Sequence, residues 1–180
     1  SSMQTEGAWN EDGKGRSVYD IKKAGPNQSD WKVAIDEYHR YSEDISLMQD
    51  LGMNFYRFQI SWSRVQPDGE GDFNQAGIDF YDRLIDELLA KDVQPMVCLY
   101  HFDMPLALAE KYNGFVSKKV VEAYTRFAKK MVDHFGDRVK YWLSFNEQNC
   151  FSLKFAFTSS GYLHGEETLR ELYQIQHNTM

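Results

Sequence analysis

Three times along this chain a helix-spaced apolar pattern runs into a short apolar strand pattern, and each strand pattern ends on polar side chains. The strand patterns begin near Met53, Val93 and Val139. Ahead of the first, Ile35, Tyr38, Tyr41, Ile45 and Met48 predict a helix from about Val33 to Leu51, with Gly52 placed to end it. Ahead of the second, Asn74 has the form of an N-cap, Phe73 and Ile78 form the staple around it, and Ile78, Tyr81, Ile85 and Leu88 give the buried face. Ahead of the third, Ser117 starts a helix stapled by Val116 and Val121, with Val120, Tyr124, Phe127, Met131 and Phe135 facing the core and Gly136 as its stop. A repeat of this length is a βα repeat, which predicts a parallel sheet in an α/β fold. Pro95 falls near the start of its strand, where a missing N–H is tolerated.

The polar residues of interest gather at the strand ends: Arg57 and Gln59, then His101 and Asp103, then Asn146 and Glu147. Barrels and doubly wound sheets place their sites there. No glycine-rich turn follows any strand, so the expected arrangement is a barrel rather than a dinucleotide-binding sheet. The last strand, Val139 to Glu147, is bulky and aromatic, as suits a strand covered on both faces. A carboxylate delivered at its end is expected to be half-desolvated, which raises a Glu pKa and lets it both donate and accept a proton. The competing reading is that Glu147 caps the next segment or meets solvent.

With 180 residues, 42% of them hydrophobic, the chain has material for one sizeable core and is expected to form a single domain over 1–180. A net charge of −7 argues against nucleic acid or an anionic membrane as partner. The longest apolar run, Met96 to Tyr100, is too short to span a bilayer, and Ser1 to Glu6 lacks signal-peptide character, so a cytoplasmic location is expected. Cys98 and Cys150 are expected to be buried reduced thiols, and neither they nor the five His residues have metal-ligand spacing. No metal or other cofactor is implied. Gly7 to Asp30 reads as a long irregular segment, a type that tends to be functional in compact domains.

With these motifs in hand, the chain resembles the family-one glycoside hydrolases, the retaining β-glucosidases and 6-phospho-β-glucosidases built on a (β/α)8 barrel. The resemblance rests on four stretches in order: Ser1 to Gly15, Tyr56 to Arg64, His101 to Pro105, and Asn146-Glu147. It implies that Gln4, His101 and Asn146 bind sugar hydroxyls, with Phe102 also in the substrate site. Arg57 supports the catalytic nucleophile and Glu147 is the acid/base. Two residues depart from the family pattern: Phe102 stands where Trp is common, and Gln148 where Pro usually follows the acid/base. The first points toward the phospho-sugar branch.

The resemblance implies a partial TIM barrel, roughly the first four βα units with the first strand incomplete. It also implies that the half bearing the nucleophile is missing. Retaining hydrolysis needs two carboxyl groups about 5–5.5 Å apart, and only one is recognisable here. Glu70, Glu110, Glu166 and Glu167 read as surface carboxylates, and Asp103 as a turn-fixing residue that bonds nearby backbone N–H groups. The expected function is therefore hydrolysis of β-glucosides or 6-phospho-β-glucosides by a lineage of which this chain alone is inactive. The alternatives are a non-catalytic carbohydrate-binding or assembly remnant and, less well matched by Gln4 and His101, another barrel glycosidase such as an endoglucanase. Open strand edges predict self-association or complementation by the missing half-barrel.

Overall fold

The computed structural model describes residues 3–180, with side chains from Thr5 onward. In chain order the elements are α1 (Met3–Glu6), α2 (Glu37–Asp50), β1 (Phe55–Gln59), α3 (Trp62–Val65), α4 (Gln75–Ala90), β2 (Gln94–Tyr100), α5 (Leu106–Tyr112), α6 (Lys118–Phe135), β3 (Tyr141–Phe145), α7 (Phe155–Ser159) and α8 (Leu169–Asn178). The strands form one parallel sheet in the order β1-β2-β3. Gln59 pairs with Cys98, and Tyr100 with Phe145, so the strands end close to one another in register. This is α/β architecture consistent with part of a (β/α)8 barrel.

The apolar faces read from helical spacing are the faces that pack. Ile78, Tyr81, Ile85 and Leu88 of α4 are buried, as are Val120, Phe127, Met131 and Phe135 of α6. Trp62 stacks on Phe127 with ring centroids 5.2 Å apart, linking the end of β1 to α6. Ser117 caps α6 by accepting from the Lys119 N–H. Each such fully buried large side chain contributes about 1.5–3 kcal/mol.

Four local expectations are corrected. The helix before β1 starts at Glu37, not Val33, because Ala34 and Asp36 have φ of 54° and 58°, which no right-handed helix can include; Val33 and Ile35 are consequently exposed. Asn74 precedes α4 but does not cap it with its side chain, which donates to the Asp12 and Arg64 carbonyl oxygens at 2.7 and 2.9 Å. The stretch likened to a first strand contains a helical turn, Met3–Glu6, and then irregular chain. Its Gly7 and Ala8 carbonyls accept from the buried Arg64 guanidinium instead of from a strand ladder. Finally, β3 is not covered on both faces: none of its five residues is fully buried, and Tyr141 is 47% exposed. Pro95 lies one residue before the pairing of β2 with β3 begins at Met96, so its missing donor falls outside that ladder.

Candidate active site at the strand ends

The parallel register brings residues from all three strands to one edge. The Asn146 N–H donates to the Tyr100 carbonyl at 2.9 Å, extending the β2–β3 ladder one residue past β3. Asn146 is thereby buried, and its Oδ1 accepts from Arg57 Nη2 at 2.5 Å, so β1 and β3 are tied together across β2. Cys98 lies beneath this link. Burial pushes its thiol up, and the adjacent Arg57 guanidinium opposes the shift.

The next residue is placed very differently. Glu147 is exposed and has φ of 47°, a left-handed conformation that costs a non-glycine residue about 1–3 kcal/mol. The expected half-desolvated carboxylate is therefore not formed, because β3 is an edge strand and no described element covers its end. Within this segment the Cys150 thiol lies 3.8 Å from Glu147 Oε2. At the end of β2, Phe102 also has positive φ, 71°, a genuine outlier for a bulky residue. Its ring is buried, 5.1 Å from that of Phe155 and 6.2 Å from that of Phe151, while the half-buried His101 ring meets it edge-on at 5.1 Å. The Gln4 side chain lies outside the described residues.

Thus Arg57 and Asn146 are brought into contact, His101 and Phe102 share the adjoining strand end, and Glu147 projects from the same edge into solvent. Among the other carboxylates weighed, Glu70 is held by Lys111 and Tyr112, and Glu110, Glu166 and Glu167 are exposed. Among the described residues no group of three or more His, Cys, Asp or Glu side chains is arranged to hold a metal ion.

Asp103 contradicts its expected role. Its carboxyl is 2% exposed and neither oxygen has a hydrogen-bond partner, so it does not fix the turn. It lines a cavity of about 30 Å³ together with Glu6, Lys14, Ser17, Gln59 and Ser61. Lys14 and Ser17 carry no periodic signal, and only their position in a long irregular segment could have drawn attention to them. The turn is held instead by the backbone: the Leu106 N–H donates to Arg16 O at 2.8 Å and the Val18 N–H to Met104 O at 3.0 Å.

A parallel βα repeat with polar side chains gathered at its strand ends is the framework of part of an α/β barrel, and the comparison with known proteins makes it specific. The profile described as Glycosyl hydrolase family 1 matches residues 1–180, and the chain belongs to that family. It is 42% identical over 181 residues to the aryl-phospho-β-D-glucosidase BglC of Bacillus subtilis, covering 98% of this chain and 38% of that protein. It is 48% identical to the coniferin β-glucosidase of Pinus contorta, covering 84% of this chain and 30% of that protein. The crystal structure of the rice Os3BGlu6 β-glucosidase superposes with a TM-score of 0.81 at 46% identity, covering 86% of this chain and 33% of that one. The chain thus spans about a third of the length of these relatives. No helix among the described residues is long and apolar enough to cross a membrane.

Proposed function

We propose that this chain carries the acid/base half of a retaining β-glycosidase site. Glu147 protonates the departing glycosidic oxygen and then, as the conjugate base, takes a proton from the attacking water. Asn146, His101 and Gln4 hold sugar hydroxyls, Phe102 shapes the pocket wall behind them, and Arg57 steadies a nucleophilic carboxylate. The nucleophile is supplied from outside these 180 residues, so this chain by itself turns over little or no substrate.

The observation that carries the reading is the Arg57–Asn146 hydrogen bond immediately before the left-handed Glu147. It fixes the residue before Glu147 against a cation, at a strand end, which is where barrel folds put their sites. An exposed Glu147 also fits a half-site, since a carboxyl that must act as an acid near neutral pH needs surroundings that disfavour its charge. Substrates are β-glucosides or 6-phospho-β-glucosides. The names of the B. subtilis and pine relatives divide between these two classes, and Phe102 favours the phosphorylated one. We further propose that residues 1–180 act as one domain, that the open sheet edges pair with the complementary half-barrel or a second copy, and that the protein works in the cytoplasm.

The test is nitrophenol release from p-nitrophenyl β-glucoside and its 6-phosphate, with Glu147→Gln as control. No release by the folded chain, and release on adding a chain that supplies the second half, is the expected result. Turnover by this chain alone that survives Glu147→Gln would refute the assignment. Sugar binding without turnover under all conditions would favour the carbohydrate-binding reading.

A further inference from the structure

Residues 14–20 form a strap across the end of β2, and beneath it lies a carboxyl group that the strap covers without bonding. Backbone hydrogen bonds pin the strap: Val18 N–H to Met104 O, Leu106 N–H to Arg16 O, and an antiparallel bridge between Ser17 and Pro105. Inside it, the Ser17 N–H donates to Asp20 Oδ2 at 2.5 Å, and Lys14 Nζ lies 3.5 Å from the same oxygen. Below are Asp103, with two unpartnered buried oxygens, and Gln59, whose Oε1 is also buried without a partner. Both line the same small cavity. Three buried acceptor oxygens, two on Asp103 and one on Gln59, thus meet here without a hydrogen-bond partner.

A buried acceptor without a donor is costly, and a buried carboxylate more so. We propose that Asp103 is a proton-binding residue whose ionisation loosens the strap of residues 14–20 from the end of β2. A proton on the carboxyl removes its buried charge and turns one of its unpartnered acceptor oxygens into a donor. Loss of that proton leaves a buried anion that is relieved by admitting water, which requires the strap to lift.

The electrostatic setting agrees. Burial pushes the Asp103 carboxyl up to about 7; the Lys14 ammonium and the nearby Ser61 hydroxyl favour the charged form but do not outweigh burial, and Glu6 opposes it. The other titratable groups around the site are Asp20 and Tyr19 of the strap, Cys98 and Tyr100 of β2, Tyr81 of α4 and Glu37 of α2. With the strap lifted the carboxyl returns toward its ordinary value of 3.8. The closed strap is then fully stabilised below that value, and the stabilisation is lost as pH rises through about 7. Neither Glu147 nor Asn146 lines the cavity, so the inference stands apart from the hydrolase reading.

Hydrogen exchange on the full chain tests it. After correction for the intrinsic rate, exchange at the Val18 and Leu106 amides should rise about tenfold between pH 6 and pH 8, while amides inside α6 should not follow. In Asp103→Asn the rise should vanish. Should that variant fail to fold, carboxyl ¹³C titration of the unaltered chain decides, with a midpoint near neutrality supporting the proposal. A midpoint in the ordinary carboxylate range, or strap amides that merely track α6, would overturn it.

Discussion

The ends of β2 and β3 lie side by side, yet they treat their carboxyl groups in opposite ways. At the end of β2 the chain supplies its own roof: Val18 is buried, the strap is pinned by backbone bonds, and Asp103 is buried with neither carboxyl oxygen hydrogen-bonded. At the end of β3 the backbone is anchored just as firmly through Asn146, but Glu147 points into solvent with nothing above it among the described residues. One end is closed by residues far earlier in sequence, and the other is open. Position at a strand end therefore does not set a carboxyl group's environment; what covers it does.

If the closed end rests on the packed layer beneath it, damage there should produce the largest effect. Trp62 is fully buried against Phe127 and follows directly on β1. Trp62→Ala should lower the stability by about 3–5 kcal/mol, read from the urea midpoint. A loss under 1 kcal/mol would mean that this layer is loosely packed and that the closed end is held by the strap alone. Next comes the ion pair that anchors the chain ahead of the strap. Arg64 Nε donates to Glu6 Oε1 at 2.6 Å, with the Arg64 side chain fully buried. Glu6→Gln leaves that cation with amide and carbonyl partners only and should cost about 3 kcal/mol. An unchanged midpoint would show that the Gly7 and Ala8 carbonyls suffice.

The closed end should also make stability depend on pH with an unusual sign. Because Asp103 has a raised value in the folded chain, the unfolded chain releases this proton first. Its contribution is therefore present at low pH and falls by about 1.4 kcal/mol per pH unit from 3.8 toward about 7. Asp103→Asn removes the decline and should be the more stable chain at pH 8. A variant less stable than the parent at pH 8 would mean that the ionised carboxylate has found a partner, which would remove the contrast between the two ends.

Much of the scaffold was legible because periodicity reports burial. The α4 and α6 faces, the three strands and the Ser117 cap all follow from which residues recur at which spacing. The failures have two causes, a contact distant in sequence and a local backbone conformation that spacing does not report. Asn74 has the residue type of a cap, but its amide is engaged by the Asp12 and Arg64 carbonyls. Val33 and Ile35 fit the helical pattern, but left-handed Ala34 and Asp36 hold off the helix until Glu37. The residues proposed for the site were picked out one by one by motif resemblance. Their surroundings were not: nothing local in Asp103-Met104-Pro105 reveals that Lys14 and Ser17 lie overhead. The strand-end geometry that joins Arg57 to Asn146, 89 positions apart, likewise needs the register of a three-strand sheet.

The smallest expected effect on stability comes from the open end. Glu147 is exposed, and its contacts are confined to its own turn, through the Cys150 thiol at 3.8 Å and the acceptance of the Cys150 N–H by its carbonyl at 2.8 Å. Replacing its carboxylate by an amide removes no buried charge and leaves that backbone bond intact. Glu147→Gln should therefore shift stability by less than about 0.5 kcal/mol. On the proposed acid/base role, the same substitution should abolish turnover in an assembly with a second half-barrel, because the amide can neither give nor take the proton. A large stability change in this chain alone would show that Glu147 is already covered, making the two strand ends alike. A small change here that grows once a complementing half is bound would show that the cover on Glu147 arrives with that half, much as the strap covers Asp103.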